Sequence, residues 1–182
     1  MGNASAHAAS RNQFLSALMS DGPSPELGDQ AETYGWLVGS WDIRIVDYDR
    51  DGQKQEQQGE WHISWVLEGR AIQDIFIVPK RGQRDKATRQ RNRYGSTLRM
   101  FDPSINAWRV YWRNPVIAAR EELIGQKVGN DIVQEGVDAA GNTFRWIFDR
   151  ITADSFHWYG RRSFDGGISW QLEVEFFATR LK

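Results

Sequence analysis

The side chains that could carry chemistry are few and widely spaced along the chain. There is no cysteine, which excludes a thiolate nucleophile, a thiolate metal site and a disulfide scaffold. His62 and His157 fall in segments that alternate apolar and polar residues, and each is out of phase with its apolar neighbours. Both are therefore expected to be ordinary surface histidines. We predict no metal site and no cofactor.

Carboxylates offer a second kind of chemistry. Asp74 is in phase with the apolar residues Ile72 and Phe76, so its side chain is expected to point inward. A partly desolvated carboxylate would suit a general acid or base, although the commoner outcome is a hydrated residue at the mouth of a closed sheet. Glu121 and Glu122 are adjacent, so a regular strand directs one of them inward.

A basic segment runs from Lys80 to Arg93, with Asp85 as its one acidic residue. It could form an anion-attracting rim at a cavity mouth or a solvated loop. Contact with nucleic acid is not expected, because no aromatic residue is interleaved with these charges and the net charge of the chain is −1.

Turn residues divide the chain from residue 41 onward into short alternating segments, which is typical of an antiparallel meander. Asp51-Gly52, Gly129-Asn130, Gly141-Asn142 and Asp165-Gly166-Gly167 supply residues that tolerate positive φ in tight hairpins. The ten predicted strands are residues 41–49, 54–67, 71–79, 93–102, 107–114, 117–127, 131–138, 142–150, 155–164 and 168–181.

Alternation within these strands predicts an interior walled by aromatic residues, since the chain has nine tryptophans and nine phenylalanines. Trp170, Leu172, Val174 and Phe176 form one such inward stripe in the last strand. The residues predicted to contact a ligand in a shared cavity are Trp65, Asp74, Phe76, Tyr94, Ser96, Trp112, Trp146 and Trp158.

Residues 1–33 differ in pattern from the barrel domain predicted for 34–182. Residues 12–20 place Phe14, Leu15, Leu18 and Met19 at helical spacing. An isolated amphipathic helix of this length is marginal, so it is either a frayed extension or a lid that packs on one end of the barrel.

The triplet Gly39-Ser40-Trp41, at the start of the first strand, resembles the signature of the lipocalins and their calycin relatives, which include fatty-acid-binding proteins and nitrobindins. The whole pattern resembles bacterial lipocalin-like proteins. This resemblance implies an all-β fold, a ten-stranded antiparallel up-and-down barrel with short N-terminal helical elements. A β-sandwich is the alternative. The resemblance also implies that Arg180 packs across Trp41 to close one end.

The pattern favours binding of a small, largely apolar molecule, with an acidic one as an option. The alternative is a barrel enzyme of the cyclase or isomerase type, for which two or more Asp, Glu, Tyr or His side chains should face the cavity. A homodimeric partner-binding module is a third alternative. Residues 1–10 lack the pattern of a signal peptide and no segment is long enough to span a membrane, so a cytoplasmic location is expected.

Overall fold

All ten predicted strands are present, and the sheet that they form closes on itself. A computed structural model describes residues 12–83 and 92–182 of the chain. The barrel strands are β2 (Gly39–Tyr48), β3 (Lys54–Val66), β4 (Ala71–Val78), β5 (Arg93–Asp102), β6 (Ala107–Asn114), β7 (Ala119–Val128), β8 (Asp131–Val137), β9 (Thr143–Asp149), β10 (Ser155–Ser163) and β11 (Gln171–Arg180). Each pairs antiparallel with its neighbour in sequence, and β11 pairs with β2. The β-sandwich alternative is therefore wrong.

Short elements precede the barrel. They are α1 (residues 12–18), β1 (Met19–Ser20), a 3₁₀ helix (Pro25–Gln30) and α2 (Ala31–Gly35). The sequence did not predict β1, which pairs with Trp65 and Val66 at the end of β3. The Ser24 hydroxyl caps the 3₁₀ helix by accepting a hydrogen bond from the Glu26 N–H.

The segment from α2 to β2 fills one end of the barrel and forms a floor. Tyr34 and Leu37 are fully buried there. The Tyr34 ring packs edge-on against Trp108, and its hydroxyl donates a hydrogen bond to Gln134. A side chain on Gly125 would collide with the Tyr34 hydroxyl, so this glycine makes room for the floor to dock.

Arg180 locks the floor to the barrel, as the lipocalin resemblance implied. Its guanidinium lies 4.0 Å from the centre of the Trp41 ring. It also donates hydrogen bonds to the carbonyl oxygens of Trp36 (2.7 Å), Val38 (2.8 Å) and Ala153 (2.7 Å). Gly39 has φ +135°, and a Cβ there would collide with Arg180. Glycine is therefore needed at position 39 for two reasons: it adopts the positive φ, and it leaves room for the Arg180 side chain.

In β5, and in the part of β11 before Val174, the inward face differs from the one predicted. In β5 the buried residues are Gly95, Thr97 and Arg99, so Tyr94 and Ser96 lie on the outer face. In β11 a bulge pairs Gly160 with Val174 but Arg161 with Leu172, which reverses the alternation. Trp170 consequently packs outside the barrel, beneath the guanidinium groups of Arg145 and Arg161.

Helix α1 lies at the floor end, because β1 follows it directly and pairs with the last residues of β3. Its apolar side chains are not buried by the rest of the described chain: Phe14 is 64% exposed and Leu15 is 44% exposed. A lid role for residues 12–20 at one end of the barrel stays a prediction.

A membrane-crossing helix is not found in the parts of the chain that the structure describes, since none of their helices is long and apolar enough.

We expect Arg180→Ala to lower the free energy of unfolding by about 2–3 kcal/mol, because several hydrogen bonds from a charged donor are lost together with the contact to Trp41. Urea unfolding followed by tryptophan fluorescence measures this change. Arg180→Lys is the matched control: it keeps the charge but cannot reach three carbonyl oxygens, so less than half of the stability should return. Wild-type stability in Arg180→Ala would contradict this account of the floor.

Candidate ligand-binding cavity

A cavity of about 150 Å³ lies inside the barrel, on the far side of its packed core from the floor. Strands β3, β4, β5, β6, β9, β10 and β11 all contribute to its wall. The lining residues are Trp61, Phe76, Arg93, Thr97, Arg99, Trp112, Trp146, Trp158, Val174 and Phe176. Most of this wall is aromatic, which agrees with the predicted character of the interior.

The aromatic rings hold each other in fixed orientations. Trp158 stacks on Phe176 with ring centres 4.2 Å apart and planes within 12°. Phe76 also stacks on Phe176, with ring centres 5.1 Å apart, and it meets the Trp112 ring edge-on. Trp61 meets Phe76 edge-on at 5.4 Å. Because these rings form one connected cluster, the shape of the cavity is preformed.

A buried ion pair joins Arg99 of the cavity wall to Asp74. Arg99 donates a 2.6 Å hydrogen bond from Nη1 to Asp74, and both side chains are almost completely buried. Asp74 also accepts the backbone N–H of Thr97 at 2.8 Å. The Arg99 guanidinium lies 5.4 Å from the centre of the Tyr34 ring. The pair therefore links the cavity wall to the floor.

Two hydrogen-bond donors in residues of the cavity wall have no acceptor. Trp61 Nε1 and Arg99 Nε are buried, and neither has a partner among the described residues. Trp61 is 4% exposed and Arg99 is 2% exposed. An unpaired buried donor costs about 1–3 kcal/mol, so these two groups lower the stability of the packed interior around the cavity.

A second, more polar pocket of about 330 Å³ lies at the open end. It shares Arg93 and Trp112 with the inner cavity, so the two spaces adjoin. Arg93 forms an ion pair with Asp47, which also lines this mouth pocket. Asn114 Nδ2 is buried there without an acceptor.

Further charges surround the open end. Arg162 forms hydrogen bonds with Asp138 at 2.5 Å and Glu173 at 2.7 Å. Partial burial raises the pKa of Glu121 above its ordinary value. Glu121 is half-buried and Glu122 is exposed, bonded to Arg113, as expected for adjacent residues on a regular strand.

The structure brings together half of the residues predicted to contact a ligand. Phe76, Trp112, Trp146 and Trp158 line the cavity. Trp65 is buried but lies at the floor, beside Gly35 of α2.

The other three predicted residues do not line the cavity, because β5 turns the side that carries Arg99 inward. Tyr94 and Ser96 are outside the barrel, where Ser96 accepts a hydrogen bond from Gln73. Asp74 points inward as predicted but is held by Arg99 and does not line the cavity. The physical reason is the same in each case. A buried Asp74 needs a positively charged partner, so Arg99 must face inward. Every second residue of β5 then faces inward with Arg99, and the residues between them face outward.

The lining residues that sequence reasoning missed as a site are Trp61, Arg93, Thr97, Arg99, Val174 and Phe176. Alternation had already directed Val174 and Phe176 inward. Arg99 and Thr97 were missed because a charged and a polar residue were assigned to solvent. One signal was present: an inward Asp74 needs a cation, and Arg99 lies on the neighbouring strand.

The two histidines among the described residues, His62 and His157, lie on the outer face, as their phase indicated. His62 is partly exposed and contacts Ser40 and Glu60. His157 is buried, which was not predicted: its two ring nitrogens contact Asp149 at 2.7 Å and Glu175 at 2.9 Å. Over residues 12–83 and 92–182, no cluster of His, Asp or Glu side chains is arranged to hold a metal ion.

The basic segment is described only at its two ends, because residues 84–91 lie outside the described part of the chain. At those ends Lys80 pairs with Asp42 at 2.8 Å and Arg81 with Glu60 at 2.9 Å. Most of the other basic residues of the segment lie within residues 84–91, so the anion-attracting rim stays a prediction.

Comparison of the structure with solved structures identifies other barrels. The S-type phycobiliprotein lyase CPES from Guillardia theta superposes with a TM-score of 0.56 at 14% sequence identity, covering 84% of this chain and 93% of CPES. A redesigned β-barrel, mFAP0, solved with bound DFHBI, has a TM-score of 0.42 at 12% identity, covering 80% of this chain and 99% of that one. At this level of identity, the likeness to CPES shows the fold alone. It fits a lipocalin- or calycin-type barrel.

No protein-family model matches the chain, and no curated protein is significantly similar to it in sequence.

We expect Asp74→Asn and Arg99→Met each to cost about 3–5 kcal/mol of stability, because each leaves a buried charged or polar partner unmatched. The double variant should recover most of that loss, since no buried charge remains and the introduced amide oxygen can still accept from the Thr97 N–H. A double-mutant cycle by urea unfolding measures the coupling. Additive losses would show that the pair is not energetically coupled.

The Tyr34 hydroxyl gives the floor a pH dependence. Burial raises the pKa of Tyr34 above its ordinary value of 10.0. The folded state therefore keeps this proton where the unfolded chain loses it, so the contribution is full below pH 10 and declines as pH rises further. Between about pH 9 and 11, Tyr34→Phe should lessen the fall in unfolding free energy by about 1.4 kcal/mol in all, because the tyrosine of the unfolded chain loses its proton through this range. Urea unfolding at several pH values between about 9 and 11 tests this slope. Parallel slopes in both proteins would contradict it.

Proposed function

We propose that this protein binds a small, largely apolar molecule in the inner cavity, as a lipocalin-like barrel of the calycin type. The observation that carries the proposal is the cavity itself, because six of its ten lining residues are aromatic: Trp61, Phe76, Trp112, Trp146, Trp158 and Phe176. A wall that is mostly apolar with a few polar groups is typical of ligand sites. Phe76, Trp112, Trp146 and Trp158 are assigned the apolar contacts.

The lining favours a binding protein over the cyclase or isomerase alternative. The described residues of the cavity wall include no Asp, Glu, Tyr or His. Asp74, which is paired with the wall residue Arg99, already accepts hydrogen bonds from Arg99 and Thr97. General acid–base chemistry requires a group within reach of the reacting proton, and these side chains supply no such group.

The mouth pocket supports entry from the open end. Trp112 and Arg93 belong to both spaces, so a molecule in the mouth pocket meets them first. The floor end is closed by Tyr34, Leu37 and the Arg180 contacts. A ligand larger than the cavity would extend toward Arg93 and Asn114.

Val174→Phe tests the site by filling it. Val174 lines the cavity, and a phenyl group in its place occupies a large part of a 150 Å³ space. Titration with small aromatic compounds should shift or quench tryptophan fluorescence in the wild-type protein, with Trp158 and Trp146 in the wall as reporters. We expect Val174→Phe to weaken that binding at least about tenfold, the equivalent of 1.4 kcal/mol.

Thr179→Phe is the matched control, because it adds a comparable ring to the exposed side of the same strand. It should bind like the wild-type protein. Equal affinity in Val174→Phe and wild type would place binding elsewhere, and no response by any of the three proteins would show that the interior is a packed core only.

A further inference from the structure

We infer that the mouth pocket is a second binding subsite, in which the ion pair between Asp47 and Arg93 selects a neutral polar tail that both donates and accepts hydrogen bonds, such as a carboxamide. The ligand then carries its apolar ring in the inner cavity and this tail in the mouth pocket. The inference rests on the proposed function and narrows its ligand class. It departs from the expectation that an acidic ligand is an option.

The inner cavity is too small to hold more than a ring. Its volume is about 150 Å³, and an engineered apolar cavity of about that size admits benzene. The mouth pocket, of about 330 Å³, adjoins it through Arg93 and Trp112. Any further part of a bound molecule therefore lies in the mouth pocket.

The ion pair crosses the interior of the barrel. Asp47 belongs to β2 and Arg93 to β5, and β3 and β4 lie between these strands in the sheet. Because neighbouring strands are about 4.8 Å apart, the two side chains meet through the interior of the closed sheet. Asp47 is in phase with the buried Ile45, and Arg93 is in phase with Thr97 of the cavity wall. The pair therefore lies on the route from the mouth to the inner cavity.

Both charged groups can be reached from the mouth pocket. The Arg93 side chain keeps 22% of its surface exposed and the Asp47 side chain keeps 31%. The pair of Arg99 and Asp74, in contrast, is almost completely buried. Arg93 lines both spaces, whereas Asp47 lines the mouth pocket and not the inner cavity. A tail attached to a ring in the inner cavity therefore meets the guanidinium first and the carboxylate next.

Asp47 and Arg93 together present a hydrogen-bond acceptor beside a donor. A carboxylate only accepts hydrogen bonds, and a guanidinium only donates them. A carboxamide matches both partners, because its carbonyl oxygen accepts from Arg93 while its N–H donates to Asp47. An ester can use only the Arg93 half of this arrangement.

The charges of the mouth pocket are balanced, which disfavours a charged tail. Among the described residues that line it, Asp47 and Arg93 carry the charge, and the other polar residues are Gln55, Gln57 and Asn114. A carboxylate bound to Arg93 would lie beside the Asp47 carboxylate, and an ammonium group bound to Asp47 would lie beside the guanidinium. Like charges at such short range repel, so a neutral tail is favoured over either ion.

Three probes that share a phenyl ring and differ in the tail test the inference: 3-phenylpropionamide, methyl 3-phenylpropionate and 3-phenylpropionate. Binding is measured by quenching of tryptophan fluorescence in the wild-type protein, Asp47→Ala, Asp47→Asn and Glu56→Gln. Glu56→Gln is the matched control. It breaks the ion pair with Arg44 at a position that pairs with Val46, next to Asp47, but Glu56 lines neither space.

We expect the affinity of Asp47→Ala for the amide, relative to the ester, to fall about three- to tenfold, as for the loss of one hydrogen bond. In the same variant the affinity for the carboxylate, relative to the ester, should rise at least about fivefold, because Arg93 loses its neighbouring anion. Asp47→Asn restores an acceptor oxygen without the charge, so only the second change should remain. Glu56→Gln should alter neither ratio by more than about twofold.

A measurement on the wild-type protein needs no variant to fold. The guanidinium N–H resonances of Arg93 should shift when 3-phenylpropionamide is added and should not shift with ethylbenzene, which has the ring but no polar tail.

The outcomes separate the two proposals. If neither ethylbenzene nor any of the tailed probes binds, the proposed function falls and this inference falls with it. If ethylbenzene binds but the Arg93 resonances do not respond to the amide, or if both affinity ratios are unchanged in Asp47→Ala, the second subsite is overturned while the proposed function stands. Equal changes in Glu56→Gln and Asp47→Ala would also overturn it, because general electrostatics of the rim would then explain the selection.

Discussion

The buried ion pair between Arg99 and Asp74 is the interaction on which the interior depends. Two ions taken out of water are tolerated only when their hydrogen bonds are well placed, and here the Thr97 amide completes the set around Asp74. The pairing fixes which face of β5 is internal, because a shift of one residue would move Arg99 to solvent and leave Asp74 alone. It also positions the guanidinium against Tyr34 of the floor. This one ion pair thus constrains the cavity wall, the inward face of β5 and the position of the floor.

Aromatic packing determines how much of the barrel is space and how much is core. Trp61 contacts Phe76, Phe148, Phe156 and Phe176, so it connects the rings above the floor with those of the cavity. Such interlocked rings leave few voids, and the space that remains is small. An apolar volume of this kind discriminates between molecules mainly by their size.

Strand boundaries could be predicted from the sequence, but the face of every strand could not. Turn residues mark the strand ends through local chemistry: Asp165, for example, accepts the amides of Ile168 and Ser169 in the last hairpin. The inward faces of β6 and β9 follow from simple alternation. In β5, the apolar residues Tyr94 and Leu98 predict that their side of the strand faces inward. The ion pair between Arg99 and Asp74 of β4 instead turns the opposite side inward. In β11 a bulge opposite Gly160 and Arg161 of β10 reverses the alternation before Val174, and no residue type announces it. The ion pair accounts for the misplacement of Tyr94 and Ser96 and for the missed Thr97 and Arg99. The bulge accounts for the outward position of Trp170.

The closure of the sheet has a consequence for folding kinetics. Nearly all strand pairs join neighbours in sequence and can form as hairpins, which keeps most contacts local. The pairing of β2 with β11, which brings Trp41 beside Arg180, is the exception because it joins the two ends of the barrel domain. That step must close a loop made of almost the whole domain, and its entropic cost grows only slowly with loop length. The guanidinium that crosses Trp41 therefore stabilises the contact with the longest sequence separation in the barrel, and its loss should act mainly on how fast the closed barrel reopens.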